Sequence, residues 1–183
     1  MQPRTAELLA YLESADNDLD AALASTPADV RQTRADPEAW SVAEIVEHLG
    51  IVHRTAGALL ESTIASAREA GLGSETTHDP VVQPAEVQRL TNRGFKITSP
   101  ERARPTGTVD AETAHAQLVE ARARVRRLLL DADGAALGEV VALHPALGPI
   151  DAYRWFVFFG AHQKRHAAQI REVAAQLAGN ASG

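Results

Sequence analysis

A chain of 183 residues is long enough for one domain with a buried core, and 45% hydrophobic with 23% charged residues is an ordinary globular composition. With no cysteine, disulfides, thiolate metal ligands and a cysteine nucleophile are excluded. A formal net charge of −6 argues against nucleic acid as a partner, because a binder of phosphate backbones presents a basic surface.

The first residues lack a basic-then-apolar leader, and no apolar run reaches membrane-spanning length. The expectation is a cytoplasmic protein with no membrane partner, and the absence of cysteine fits that compartment. Thr5 to about Ser25 carries Leu8, Leu9, Leu12, Leu19 and Leu23 at near-helical spacing, with Thr5 as its N-cap. Pro27 through Glu38 reads as a loop. A second helix opens at Ser41, where Ser-Val-Ala-Glu forms a capping box with Glu44, and Trp40 is placed to staple against Ile45. Its inward positions are Val42, Ile45, Val46, Leu49, Val52, Ala56, Leu59, Leu60 and Ile64, and it ends near Gly71.

Gly71 to about Val109 has no sustained period and is rich in proline and glycine, with a short helical turn over Pro84 to Leu90. A connection of that length is more often functional than idle, so it is expected to border the site. Asp110 caps a third helix through Leu130, with Ala114, Leu118, Ala121, Val125, Leu128 and Leu129 inward. Its arginines, Arg122, Arg124, Arg126 and Arg127, read as a solvated face with Glu120 available to pair. Asp131 to Pro149 reads as a loop, and Asp151 starts a last helix. Four principal helices without a strand pattern predict an all-α four-helix bundle spanning 1–183 as a single domain.

The last helix holds His162 and His166, four residues apart and so on one face. They continue the stripe Trp155, Phe159, Ile170, Val173 and Leu177, which should face the core. On the second helix His48 continues the stripe of Ile45 and Val52, whereas His53 lies one position off it, exposed or half-buried. One imidazole from the second helix and two from the last can make a three-histidine metal site with open positions, the pattern of a catalytic metal. Surface histidines, or core histidines satisfied by backbone carbonyls, are the competing reading. The pair is not a zinc-protease motif, because Gln163 stands where His-Glu-x-x-His needs its glutamate. Glu44 is a candidate base, although the capping box is its stronger role. Gln163 and Gln169 can orient ligands from behind but, as helix-surface residues, need no such role, and His144 is more a turn residue than a group near the metal.

Trp40-Ser-Val-Ala-Glu-Ile-Val-Glu-His48-Leu resembles the W-s-x-x-E-I-x-x-H-l segment of the DinB/YfiT-like superfamily. His162-Gln-Lys-Arg-His166-Ala-Ala-Gln-Ile170 is similar to that family's H-x-x-R-H-x-x-Q-I, and Ile97-Thr-Ser-Pro-Glu101 resembles its k-i-x-a-P-E element. The resemblance runs from about the first helix to Ile170. It implies a DinB-like four-helix bundle holding a divalent metal, zinc or nickel, on His48, His162 and His166, and a homodimer in many members. It also implies relatives that are thiol S-transferases using bacillithiol or mycothiol, a mycothiol-dependent isomerase, or metal-dependent hydrolases. Two function classes stay open. One is an enzyme of transferase or hydrolase type acting on a small-molecule substrate, with an external low-molecular-weight thiol as co-reactant because the chain has none. The other is a metal-binding or dimerisation module without turnover.

Overall fold

A computed structural model describes residues 1–94 and 98–180. Helix α1 (Pro3–Ala24) starts with proline in its first turn, where the missing N–H costs nothing. Its N-cap is Gln2, with no side-chain cap bond, and Thr5 is buried inside the helix rather than capping it. Helix α2 (Val42–Glu69) begins at the expected capping box: the Ser41 hydroxyl accepts from the Glu44 N–H at 3.2 Å, and the Glu44 carboxylate accepts from the Ser41 N–H at 2.8 Å. It ends before Gly71, whose φ of +90° suits glycine. Leu59 was expected inward but points outward, 43% exposed.

Helix α3 (Pro84–Thr91) lies within the long connection, and α4 (Ala111–Asp131) is capped by Asp110, whose side chain accepts from the Thr113 N–H at 2.8 Å. The region expected as a loop before the last helix contains a hairpin, β1 (Val141–His144) antiparallel to β2 (Gly148–Asp151), with His144 opposite Gly148. The strands are too short for alternation to stand out in the sequence, although the turn between them ends at Gly148, whose φ of +77° suits glycine. Helix α5 (Ala152–Asn180) follows directly, its first turn capped by Asp151 through the Arg154 N–H at 3.0 Å.

The described chain is therefore mostly helical, with this small sheet as the departure from an all-helical expectation. Helix α1 packs along α5, and α2 packs along α4 and also meets α5. Both long pairings use glycine. A Cβ at Gly57 would lie 3.4 Å from the Val125 side chain, and one at Gly160 only 2.4 Å from the Tyr11 ring. Two apolar clusters fill the interior. One gathers Leu8, Leu12, Leu60, Val125, Trp155, Phe156 and Phe159, and the other Leu19, Leu49, Leu118, Ala167, Ile170 and Val173. Burying each of the leucine, isoleucine, valine and phenylalanine side chains stabilises the fold by about 1.5–3 kcal/mol before chain entropy is counted. Among the described residues no helix is long and apolar enough to cross a membrane.

Arg122 departs from the expected solvated face. It is buried, and it pairs with Asp20 at 2.7 Å and Gln163 at 2.5 Å. Arg126 binds Asp16, while Arg124 and Arg127 are exposed as expected, Arg124 lying 3.6 Å from Glu61.

Candidate metal centre

His48, His162 and His166 come together, each offering a ring nitrogen, with all these atoms within 4.8 Å of one another. The spacing that put His162 and His166 on one face of α5 brings their Nε2 atoms to 3.1 Å. His48 reaches across from α2, its Nε2 3.4 Å from that of His162. A tetrahedral ion with metal–nitrogen bonds of about 2.0–2.1 Å separates its ligand nitrogens by about 3.3 Å. The two shorter edges of the triangle match that value, so the residues present fit a metal ion.

The remaining ring nitrogens show which lone pairs are free. The His48 Nδ1–H donates to the Ala103 carbonyl at 2.6 Å. A carbonyl oxygen only accepts, so Nδ1 must carry the proton and Nε2 the lone pair. His166 is held the same way, its Nδ1 2.7 Å from the Gln169 Oε1. Two lone pairs are thus aimed at the third imidazole, which can offer them one proton at most. A cation would satisfy all three nitrogens at once.

The electrostatics favour the neutral, ligating form. Burial pushes the His48 imidazole below its usual value, and it pushes His166 down to about 3, with His48 adding to the effect. Burial also lowers His162 well below the ordinary range, reinforced by His166 and His48. Aromatic rings flank the cluster, Trp40 at 4.9 Å from His48 and Phe158 stacked on His162 at 5.0 Å. Trp40 also packs against the cluster containing Ile45, the staple position expected for it. His162 is only half-buried, and among the described residues no fourth histidine or carboxylate joins the group.

The long connection does border this site. The turn Glu101–Ala103 presents the carbonyl that His48 uses. Just beyond it, the buried Glu47 carboxylate accepts from the Thr106 N–H at 3.0 Å, the Thr106 hydroxyl at 2.7 Å and the Gly107 N–H at 3.3 Å. Glu47 was not singled out in the sequence, and its only signal was its place beside His48. Of the Ile97–Glu101 element, Ile97 lies outside the described residues.

Other expectations are corrected. Glu44 has no freedom to act as a base: its carboxylate is taken by Ser41 and by Arg34, and it is held below the ordinary carboxylate range because those bonds outweigh the opposing effect of burial. His53 is fully buried rather than exposed, its Nδ1–H donating to the Leu49 carbonyl at 3.0 Å. Gln163 is not on the helix surface and points into the interior, away from this role, whereas Gln169 does orient a histidine. His144 is not in the turn: it ends β1, buried, its Nδ1 accepting from the Ala146 and Leu147 N–H groups at 3.1 Å each and its ring 4.4 Å from that of Phe158, near enough to His162 to help lower that imidazole.

Compared with known protein families, residues 6–170 match the DinB superfamily. No curated protein and no solved structure matches the chain.

Proposed function

Because this chain belongs to the DinB superfamily, we propose that it is a metal-dependent protein folded as one four-helix-bundle domain over 1–183, with His48, His162 and His166 as ligands of one divalent ion. Zinc or nickel suits three neutral imidazoles. The carrying observation is the arrangement of protons: at His48 and His166 the Nδ1–H is turned outward, leaving Nε2 lone pairs converging on His162. A bound divalent ion with an open position supplies a nucleophile near neutral pH by acidifying a thiol or water. This chain's part is to hold the imidazoles neutral and oriented, Ala103 and Gln169 from behind and Phe158 and Trp40 from the sides.

The reaction proposed is transfer of an external low-molecular-weight thiol to a small electrophile, with hydrolysis as the close alternative. The thiol has to come from outside, since the chain has no cysteine. His162 is half-buried where His48 and His166 are buried, and this partial exposure supports an enzyme reading. Crowding by Trp40 and Phe158 supports the alternative, a metal-binding or dimerisation module without turnover. A homodimer acting in the cytoplasm completes the proposal.

Metal analysis of the purified protein is the test. The expectation is about one divalent ion per chain, falling to near zero in His162→Ala. Unchanged metal content in that variant would overturn the ligand assignment. Thiol-transfer assays with and without a chelator then separate enzyme from module.

A further inference from the structure

Between the two apolar clusters lies a level at which each long helix contributes one polar residue. Asp16 falls between Leu12 and Leu19 on α1, His53 between Leu49 and Leu60 on α2, Arg122 between Leu118 and Val125 on α4, and Gln163 between Phe159 and Ala167 on α5. They are 6%, 1%, 4% and 0% exposed respectively. All four line a single small pocket, together with Leu12, Val125 and Arg126, with room for about one water molecule. Among the described residues, each leaves one buried atom without a well-aligned hydrogen bond, Asp16 Oδ1, His53 Nε2, Arg122 Nη2 and Gln163 Nε2, although the Gln163 amide lies close enough to the Asp16 carboxylate to favour its charged form. Four such atoms around one cavity are not a chance shortfall, because native interiors rarely leave buried polar atoms unpaired.

Hydrogen bonding assigns a role to each atom. The Leu49 carbonyl takes the His53 Nδ1–H, so His53 Nε2 is an acceptor. The Gln163 Oε1 accepts from Arg122 Nε at 2.5 Å, which orients the amide so that its Nε2 is a donor. Arg122 Nη2 can only donate. Asp16 Oδ1 can only accept as a carboxylate; it lies 3.2 Å from Arg122 Nε as an ion pair, but without the geometry of a hydrogen bond. The cavity therefore presents two donors and two acceptors. An anion would meet the Asp16 carboxylate and the His53 lone pair, and a metal cation would meet the Arg122 guanidinium and the Gln163 amide. A water molecule, with two hydrogens and two lone pairs, matches all four.

We propose that one water molecule is a fixed component of this interior, bound by Asp16, His53, Arg122 and Gln163 where α1, α2, α4 and α5 meet. It completes a polar layer that ties the four helices at one level, and this layer does not depend on the histidine cluster being loaded. A crystal structure of the full chain showing ordered solvent tests it directly. The expected result is an oxygen-sized peak within about 2.7–3.2 Å of at least three of the four atoms. An empty cavity overturns the proposal, as does Gln163 Nε2 bonded directly to Asp16 Oδ1, or a peak heavier than oxygen. In solution, oxygen-17 relaxation dispersion counts long-lived internal waters, and His53→Phe is expected to lower the count by about one. An unchanged count in folded His53→Phe also overturns it.

Discussion

Two groups of polar side chains are buried in this helical interior, and they are built on opposite principles. The layer of Asp16, His53, Arg122 and Gln163 mixes donors with acceptors and positive with negative charge. The cluster of His48, His162 and His166 brings together atoms of one kind, with the protons of two rings turned outward. A set balanced between donors and acceptors can be completed by one neutral water and serves the fold, whereas a set of like acceptors stays incomplete until something electropositive joins it. The same burial that stabilises one group therefore leaves the other poised for a ligand.

Breaking a pair in the matched layer should produce the largest effect. Arg122→Ala removes one of the two guanidiniums that pair with buried Asp16, leaving Arg126, and strips the Gln163 Oε1 of its donor; it is expected to destabilise the protein by about 2–3 kcal/mol in urea denaturation. Replacing Arg122 and Asp16 together with leucine should cost less than the single change. A single substitution costing under about 1 kcal/mol would mean the layer is no more than decoration. Removing a support of the incomplete cluster should act elsewhere. Gln169→Ala is expected to weaken metal binding by about 10–100-fold in a chelator competition, while leaving the metal-free stability within about 0.5 kcal/mol. A large loss of metal-free stability there would erase the distinction between the two groups.

Acid offers a smaller, graded probe. Burial pushes the His53 imidazole down to about 3 from an ordinary value of 6.5. The unfolded chain therefore binds a proton that the folded chain refuses. The stability contributed by neutral His53 is complete above pH 6.5 and drains away as pH falls towards 3, at up to about 1.4 kcal/mol per pH unit. Denaturation curves of the metal-free protein across that window should be shallower in pH for His53→Gln than for the parent. Equal slopes would show that His53 is not held neutral by the layer.

Much of the histidine cluster was readable from sequence, because each of its members obeys a local rule. His162 and His166 follow from a four-residue step on one helix, and His48 follows from its place on the apolar stripe of α2. The capping box at Ser41 was equally local. The matched layer carried a signal of the same kind, since Arg122 stands four residues after Leu118 and three before Val125, both buried. Its charge suggests solvent where its position says core; His53 was misplaced for a different reason, lying one position off the stripe of α2. Leu59 shows the opposite error, an apolar residue placed inside because of its type. The hairpin at 141–151 is local, but its four-residue strands are too short for alternation to register, whereas the partner of His48 depends on where backbone 55 residues away comes to rest.

The group that orients His48 is the main-chain oxygen of Ala103, an atom that every amino acid possesses. Selection can therefore rewrite the side chains of that stretch freely without disturbing the tautomer it dictates, provided the turn starting after Pro100 keeps its path. Relatives are free to differ at Ala103 itself, although its backbone touches the histidine cluster. Variation there would signal a freedom granted by the backbone, and not the loss of the site.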